Sequence, residues 1–147
     1  MTTMARLSLA QAMKIVEAAL ANGRASGLAP LAVAVLDDGG HLKAFAREDG
    51  AGIMRPQIAT GKAWGALGMG FGSRTFARRA AENPAFFSAL YAASEGRLLP
   101  AAGGILVKDQ AGDVVGAVGI SGDTSDKDEA CALAGVTAAG LAGDPGA

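Results

Sequence analysis

The sequence has 147 residues, half of them hydrophobic and 18% charged, and thirteen Lys and Arg nearly balance fourteen Asp and Glu for a net charge of −1. This length and composition fit one folded domain, residues 1–147, and argue against a disordered chain. The lack of a basic excess argues against nucleic-acid binding, because phosphate contacts supply most of that affinity.

The sequence also argues against a membrane or secreted protein. No stretch reaches the ~18 apolar residues of a membrane span. Gln11, Lys14 and Glu17 interrupt the apolar residues near the N-terminus, so a secretory signal is not predicted. The single cysteine, Cys131, rules out an intrachain disulfide and a CxxC metal site. We therefore expect a cytoplasmic protein.

The N-terminal segment predicts an amphipathic helix. Ser8 followed by Gln11 has the spacing of a capping box, in which the two residues satisfy each other's backbone N–H groups. Apolar residues then recur at intervals of three and four from Leu9 to Leu20. The helix is expected to end near residues 23–27.

A β-hairpin is predicted next. The apolar run 31–36 is short enough for a buried strand, and the Asp-Asp-Gly-Gly sequence that follows favours a tight turn. Residues 41–47 form the return strand. Its alternation is expected to place Leu42, Ala44 and Ala46 on one face.

Three helices are predicted in the middle of the chain, at about residues 54–66, 73–81 and 84–94. Four glycines between residues 65 and 72 are expected to weaken and end the first of these helices. The proline that begins the third suits a first-turn position, where its missing N–H is not needed.

The last third predicts a second hairpin, with strands at 103–107 and 114–121, and a final helix after Thr124. The Gly-Asp-Pro-Gly-Ala tail at 143–147 is expected to fray. Taken in order, the elements predict an α+β fold. Its central antiparallel sheet is built from two hairpins and covered by N-terminal, middle and C-terminal helices.

Two cations are candidates for ligand binding. Arg47 ends the first hairpin and Lys62 lies in the helix that follows, and both side chains can receive carboxylates. Alternatively, Arg47 pairs with Glu48 or Asp49 and Lys62 lies in water, as surface charges usually do. The residues alone do not choose between these interpretations.

Glycines at strand ends offer a second kind of candidate site. The sequence GAVGISGD at 116–123 and the glycine pair at 103–104 can present backbone N–H groups to an anion. The alternative is that these glycines only permit close packing of the sheet. No metal site is predicted, since the one histidine, His41, cannot form a His-rich cluster and no serine triad accompanies it.

Three sequence blocks resemble the GlcG/HbpS-like family, also described as haem-degrading or PduO C-terminal-like. In order along the chain they are LAVAVLDDGGHLKAFAREDGA, ATGKAWGAL and GGILVKDQAGDVVGAVGISGDTSDKDEACALAG. The resemblance implies a compact α+β fold with a central antiparallel sheet, homo-oligomers, and binding of haem or another tetrapyrrole.

The resemblance also implies site residues. The ligand-binding candidates that match its motifs are Arg47, Asp49, Lys62, Gly103, Gly104, Gly119, Ser121 and Gly122, and Gly50 and Asp128 match as well. The sequence departs from the family at Glu48, where an apolar residue is common, and at residues 105–106, where Val-Pro is frequent. Four residue types could give haem an axial donor, at His41, Met69, Tyr91 and Cys131.

The resemblance favours a small-molecule-binding protein that holds haem or another tetrapyrrole, with Arg47 and Lys62 contacting its carboxylates. One alternative is a cofactor-independent enzyme of isomerase or lyase type on a small carboxylated metabolite, with Lys62 and Arg47 as catalytic residues. In that enzyme Lys62 or a carboxylate moves a proton, while Arg47 and the backbone amides of residues 119–122 hold an anion. A second alternative is a structural or accessory oligomer without a ligand. The expected partners are a small molecule and further copies of the chain, with neither nucleic acid nor membrane.

Overall fold

The computed structural model describes residues 6–147 and contains five helices and five strands within them. The helices are α1 (Leu9–Ala25), α2 (Arg55–Met69), α3 (Ser73–Glu82), α4 (Pro84–Ala93) and α5 (Ser125–Ala138). The strands are β1 (Ala32–Asp37), β2 (Leu42–Arg47), β3 (Gly104–Lys108), β4 (Val114–Ser121) and β5 (Ala142–Asp144). The predicted α+β class is confirmed.

The strands form one open antiparallel sheet in the order β2-β1-β4-β3-β5. Both predicted hairpins are present, and the pairing of β1 with β4 joins them. Ala34 lies opposite Phe45 on one side and Gly119 on the other. No helix within residues 6–147 is long and apolar enough to cross a membrane.

The two faces of the sheet are covered differently. α1 and α5 pack on one face, where Val33 and Val35 join the largest apolar cluster. α2 packs on the other face against the small residues Ala32 and Ala34. A methyl group at Gly119 would lie 1.8 Å from the carbonyl oxygen of Ala59, so this glycine lets α2 come close to β4.

A shift of register in the first hairpin changes which residues of β2 share a face. Leu42 lies opposite Leu36, whereas Ala44 lies opposite Val35, with the irregularity between these two pairs. Ala44 therefore joins the core under α1 and α5, while Leu42 lies on the α2 face. The prediction that Leu42 shares a face with Ala44 and Ala46 was wrong.

The ends of the helices and of the chain test the predictions made from the local sequence. The capping box of Ser8 and Gln11 is present and begins α1. α2 continues past its internal glycines and ends at Gly70, whose φ of 82° suits a residue without a side chain. The tail does not fray, because β5 pairs with β3 and the Lys108 ammonium contacts the Asp144 carboxylate at 2.9 Å.

Candidate functional site

Lys62 is buried inside the molecule. Its side chain projects from α2 toward β4 and α5, and Lys62 and Asp128 are 2% and 1% exposed. The Lys62 ammonium donates to the Ile120 carbonyl at 2.9 Å and lies 3.3 Å from Asp128 Oδ2. Asp128 Oδ1 in turn accepts from the Asp123 amide at 3.0 Å. Both charged groups are thus satisfied by the chain itself.

Burial shifts the titration of both partners. It lowers the pKa of Lys62 and raises the pKa of Asp128, because each charge loses its hydration in the interior. The attraction between the two groups opposes both shifts, while the positive charge of Arg55 lowers the pKa of Lys62 further. Burying the two charges therefore costs desolvation free energy, and the surrounding structure keeps the pair in place despite this cost.

The glycine pair at the start of β3 packs against this lysine. A methyl group at Gly103 would lie 2.8 Å from Lys62 Nζ, and one at Gly104 would lie 2.2 Å from the Lys62 carbonyl oxygen. The Gly104 amide donates to Ser73 Oγ at 2.7 Å. The contacts of this pair support the close-packing interpretation, and its role in ligand binding stays a prediction.

The end of β4 is likewise engaged with the chain. Ser121 Oγ accepts from the Arg55 guanidinium at 3.1 Å, and a methyl group at Gly122 would lie 2.2 Å from the Pro30 carbonyl oxygen. The Thr124 amide donates to the Asp123 carboxylate at 2.8 Å, just as the Asp123 amide donates to Asp128. The Asp123 amide of the suggested anion site and the Thr124 amide that follows it therefore already bind carboxylates of the chain.

Arg47 and Asp49 lie apart from Lys62. They line a charged recess of about 420 Å³ together with Arg24, Pro30 and Glu48, and Lys62 is not among its lining residues. Arg47 donates to the Ala51 carbonyl at 2.8 Å. Glu48 pairs with Arg24 at 2.9 Å, instead of with Arg47. The two predicted cations thus do not share a cavity.

A larger cleft of about 480 Å³ opens beside α2. It has three walls, which are the first hairpin, the outward side of α2 and the segment 95–97 that follows α4. The walls contain the apolar residues Leu36, Leu42, Pro56 and Trp64 and the charged residues Glu95 and Arg97. The cleft is mainly apolar, and Arg97 is its only basic lining residue.

One strip of β2 extends the apolar wall of the cleft. Leu42, Phe45 and Arg47 all lie on the α2 face of this strand, as their pairing with β1 requires. α2 packs over β1, β3 and β4, and Leu42 and Phe45 remain 59% and 39% exposed. An apolar strip with a cation at its end therefore borders the cleft.

Arg97 is placed over the tryptophan by a tight turn. Its guanidinium carbon lies 5.5 Å from the centroid of the Trp64 ring. Glu95 and Gly96, with φ of 57° and 77°, reverse the chain after α4. Glu95 is the one non-glycine residue within 6–147 with a positive φ, and it occupies the left-handed position of the Schellman motif that ends α4.

The candidate axial donors differ in access. His41 lies between the cleft-lining residues Gly40 and Leu42, and its Nδ1 is 3.3 Å from Asp37 Oδ1. Cys131 is buried, its thiol contacts Asn22 at 3.3 Å, and burial raises the pKa of that thiol.

The other two donors, Met69 and Tyr91, are not among the residues that line the cleft; Met69 packs against a phenylalanine cluster and Tyr91 is exposed on α4. No group of three or more His, Cys, Asp or Glu side chains that could hold a metal ion occurs within residues 6–147.

Sequence reasoning did not select Trp64 or Arg97. Trp64 is the only tryptophan of the chain, and it follows Lys62 by two residues on the same helix. Residues two apart on a helix point to nearly opposite sides, so the burial of Lys62 turns Trp64 outward, and the sequence did not indicate that burial. Arg97 carried no signal, because its position over Trp64 depends on the turn after α4.

Comparisons with known proteins agree with this fold. The family model described as "Haem degrading protein HbpS-like" matches residues 7–137. The crystal structure of a PduOC–haem complex superposes with a TM-score of 0.84 at 22% identity, covering 93% of this chain and 97% of PduOC. The protein ORFY of Klebsiella pneumoniae gives 0.84 at 23% identity, covering 95% and 94% of the two chains.

A double mutant of HbpS from Streptomyces reticuli has a higher sequence identity. It superposes with a TM-score of 0.78 at 30% identity, covering 93% of this chain and 89% of HbpS. No match is found among curated proteins. The family match spans nearly all of the described fold, from the start of α1 almost to the end of α5. The chain therefore belongs to the HbpS-like family.

Proposed function

We propose that this protein binds haem or a related tetrapyrrole in the cleft beside α2. The observation that carries the proposal is the open, mainly apolar cleft of about 480 Å³ between Leu42 and Trp64, with a cation at one edge. Binding sites for small molecules and cofactors are typically apolar clefts of about 300–1,000 Å³ with a few placed polar groups.

The chemistry of the lining suits a flat macrocycle. Leu36 and Leu42 offer an apolar wall on one side and the Trp64 indole offers an aromatic surface on the other. Arg97 offers a charge partner for an acidic substituent. PduOC, which has the same fold, was crystallised with haem, and the description of the family names haem degradation. Both facts support the proposal.

His41 is the residue that would supply an axial donor. Haem iron takes such a donor, and a metal-ligating histidine usually gives its other ring nitrogen to a carboxylate or carbonyl. The contact of His41 Nδ1 with Asp37 matches this arrangement and leaves Nε2 for the iron. The side chain of His41 is 82% exposed, so its ring is accessible.

A haemin titration tests the proposal. We expect a saturable change in the Soret band and quenching of the fluorescence of Trp64, the chain's only tryptophan. Leu42→Asp should weaken binding at least about tenfold, since it puts a charge in the apolar wall. The matched control is Met13→Asp, which changes an exposed apolar residue on α1.

Two results would contradict the proposal. One is a Soret response that rises without saturation and leaves the Trp64 fluorescence unchanged. The other is equal haemin affinity for Leu42→Asp, Met13→Asp and the unmodified chain, because the ligand would then lie elsewhere.

One observation favours the alternative of a cofactor-independent enzyme. The lowered pKa of Lys62 is the property that a lysine base needs. However, the amino group is buried and already donates to Ile120 and Asp128, so a substrate would need the interior to open. Turnover of a small carboxylated metabolite that Lys62→Arg abolishes in a folded protein would support this alternative over haem binding.

Self-association also stays a proposal. Ile53 and Met54, in the loop before α2, are 90% and 64% exposed, and such apolar side chains are common at contacts between copies. Light scattering at micromolar concentration should give a multiple of the 14.5 kDa chain mass, and a monomer mass would contradict the expectation.

A further inference from the structure

We infer that Arg97 receives an acidic group of the bound ligand, so that the cleft selects flat apolar molecules with a carboxylate at the edge beside Trp64. This inference rests on the proposed function and names the residue that fixes the ligand's orientation. It differs from the sequence-based expectation, in which Arg47 and Lys62 receive the carboxylates.

The Arg97 guanidinium has its N–H donors available for a ligand. Of the ion pairs and side-chain hydrogen bonds within residues 6–147, none involves this side chain. Its guanidinium carbon lies 5.5 Å from the centroid of the Trp64 ring, and such a cation–π contact uses none of the N–H donors. A free planar fork is suited to a carboxylate.

The other basic groups nearby are less available. Lys62 is enclosed with Asp128, and Arg55 donates to Ser121. Arg47 donates to the Ala51 carbonyl and lines the separate recess. Arg97 is therefore the basic residue that both lines the cleft and retains its donors.

The backbone of the loop holds Arg97 in place. A methyl group at Gly61 would lie 2.9 Å from the Arg97 carbonyl oxygen, so the backbone of this loop rests directly on α2. The next residue, Leu98, is 3% exposed and packs with Phe76 and Phe87. The loop is thus anchored on the far side of Arg97, and the side chain is presented from a fixed position.

The turn before Arg97 also fixes its position. Glu95, with a φ of 57°, ends α4 in a Schellman motif, in which the Glu95 amide donates to the Ala92 carbonyl and the Gly96 amide donates to the Tyr91 carbonyl. Glu95 also lines the cleft. Its carboxylate makes no ion pair with Arg97 within the described residues, so the chain does not neutralise the cation itself.

The experiment separates charge from shape by comparing two ligands. Haemin and haemin dimethyl ester share the macrocycle, but the ester has no carboxylate. Each is titrated into the unmodified protein, Arg97→Gln, Arg47→Gln and Arg79→Gln, with Trp64 quenching and the Soret band as readouts. Arg47→Gln tests the rival position on the strip of β2 that borders the cleft. Arg79→Gln is the matched control, because Arg79 is an exposed arginine that lies over the Phe71 ring and does not line the cleft, and its substitution should leave both affinities unchanged.

We expect the unmodified protein to bind haemin about tenfold more tightly than the ester, as a charge-assisted hydrogen bond predicts. Arg97→Gln should lose this preference through weaker haemin binding, with ester binding unchanged. Arg47→Gln should keep the preference. Arg97→Lys should retain part of it, which separates lost charge from lost folding, and thermal melting of each variant checks the fold.

The possible outcomes separate a failure of the proposed function from a failure of the assignment to Arg97. If the unmodified protein binds neither ligand, the proposed function is wrong and the inference falls with it. If haemin binds but Arg97→Gln keeps the preference for haemin over its ester, only the inference is overturned. If Arg47→Gln alone removes the preference, the carboxylate lies at Arg47 and the assignment to Arg97 is wrong.

Discussion

The amino group of Lys62 and the carboxylate of Asp128 lie 3.3 Å apart in the interior, and they connect α2 to α5 across 66 residues of sequence. The sequence placed Lys62 at a ligand site or in water, and Asp128 was noted as a match to the family motif. Their enclosure instead makes the pair part of the structure that holds the sheet between its helices.

Removing one partner should destabilise the fold. Lys62→Met leaves the Asp128 carboxylate buried without its cation, so the free energy of unfolding should fall by about 3 kcal/mol. Adding Asp128→Asn should restore part of the loss, since Oδ1 can still accept from the Asp123 amide. Urea unfolding of the single and double variants measures both effects.

The control for this prediction is Lys127→Met. Lys127 is a lysine on α5 whose side chain is 60% exposed, and it should change the stability by less than about 0.5 kcal/mol. If Lys62→Met unfolds at the same urea concentration as Lys127→Met, the buried pair does not support the fold.

Two glycines, one in β4 and one in α2, should respond oppositely to substitution by alanine. Gly119→Ala would bring a methyl group against the Ala59 carbonyl, so α2 must move and the stability should fall by about 2 kcal/mol or more. Gly68→Ala meets only ordinary contacts with Trp64 inside α2, and it should gain up to about 1 kcal/mol. Thermal or urea unfolding measures both changes in stability, and changes of the same sign would contradict the prediction.

Acid should weaken the attachment of β5. The hydrogen bond from Lys108 and then that from the Gly146 amide lower the pKa of Asp144 below its ordinary value of 3.8. Its contribution to stability is therefore present above pH 3.8 and is lost as the pH falls through the folded-state pKa. The cost of Asp144→Asn, measured by urea unfolding, should shrink between pH 7 and that acidic range.

Asp38→Asn serves as the comparison for the acid prediction. Asp38 is exposed in the turn of the first hairpin and belongs to none of the ion pairs seen in residues 6–147. Its substitution should have a small effect at both pH values. An equal pH dependence for the two variants would contradict the role given to the Lys108 contact.

The identity of the axial donor can be read from spectra. If His41 ligates the haem, His41→Ala should shift the Soret maximum and change the electron paramagnetic resonance signal while the apolar cleft still binds the macrocycle. Cys131→Ala changes a buried thiol away from the cleft and should leave both spectra as they were. Identical spectra for His41→Ala and the unmodified protein would exclude His41.

Local patterns predicted most of the fold. The capping box at Ser8, the turn residues of both hairpins and the apolar periodicity of α1 all act within a few residues, so the sequence displays them. β5 was missed because Ala142–Asp144 has no strand pattern of its own. It becomes a strand only because the free edge of β3 lies beside it.

The candidate site was harder to predict, since it depends on contacts between distant residues. Lys62 was expected at a ligand site or in water, and nothing local indicates that Asp128 encloses it. The register shift that turns Leu42 toward the cleft and the turn that lays Arg97 over Trp64 are likewise products of tertiary packing. Residue types pointed to cations, but only the fold shows which of them is free.

The burial of Lys62 also makes the reactivity of its amine a measure of how often the interior opens. The chain has five lysines, and the other four, Lys14, Lys43, Lys108 and Lys127, have side chains that reach solvent. An amine-acylating reagent should modify those four directly, whereas Lys62 can react only when the sheet and its helices separate. The rate at which peptide mass spectrometry detects an acyl group on Lys62 itself is therefore a measure of how often this interior opens.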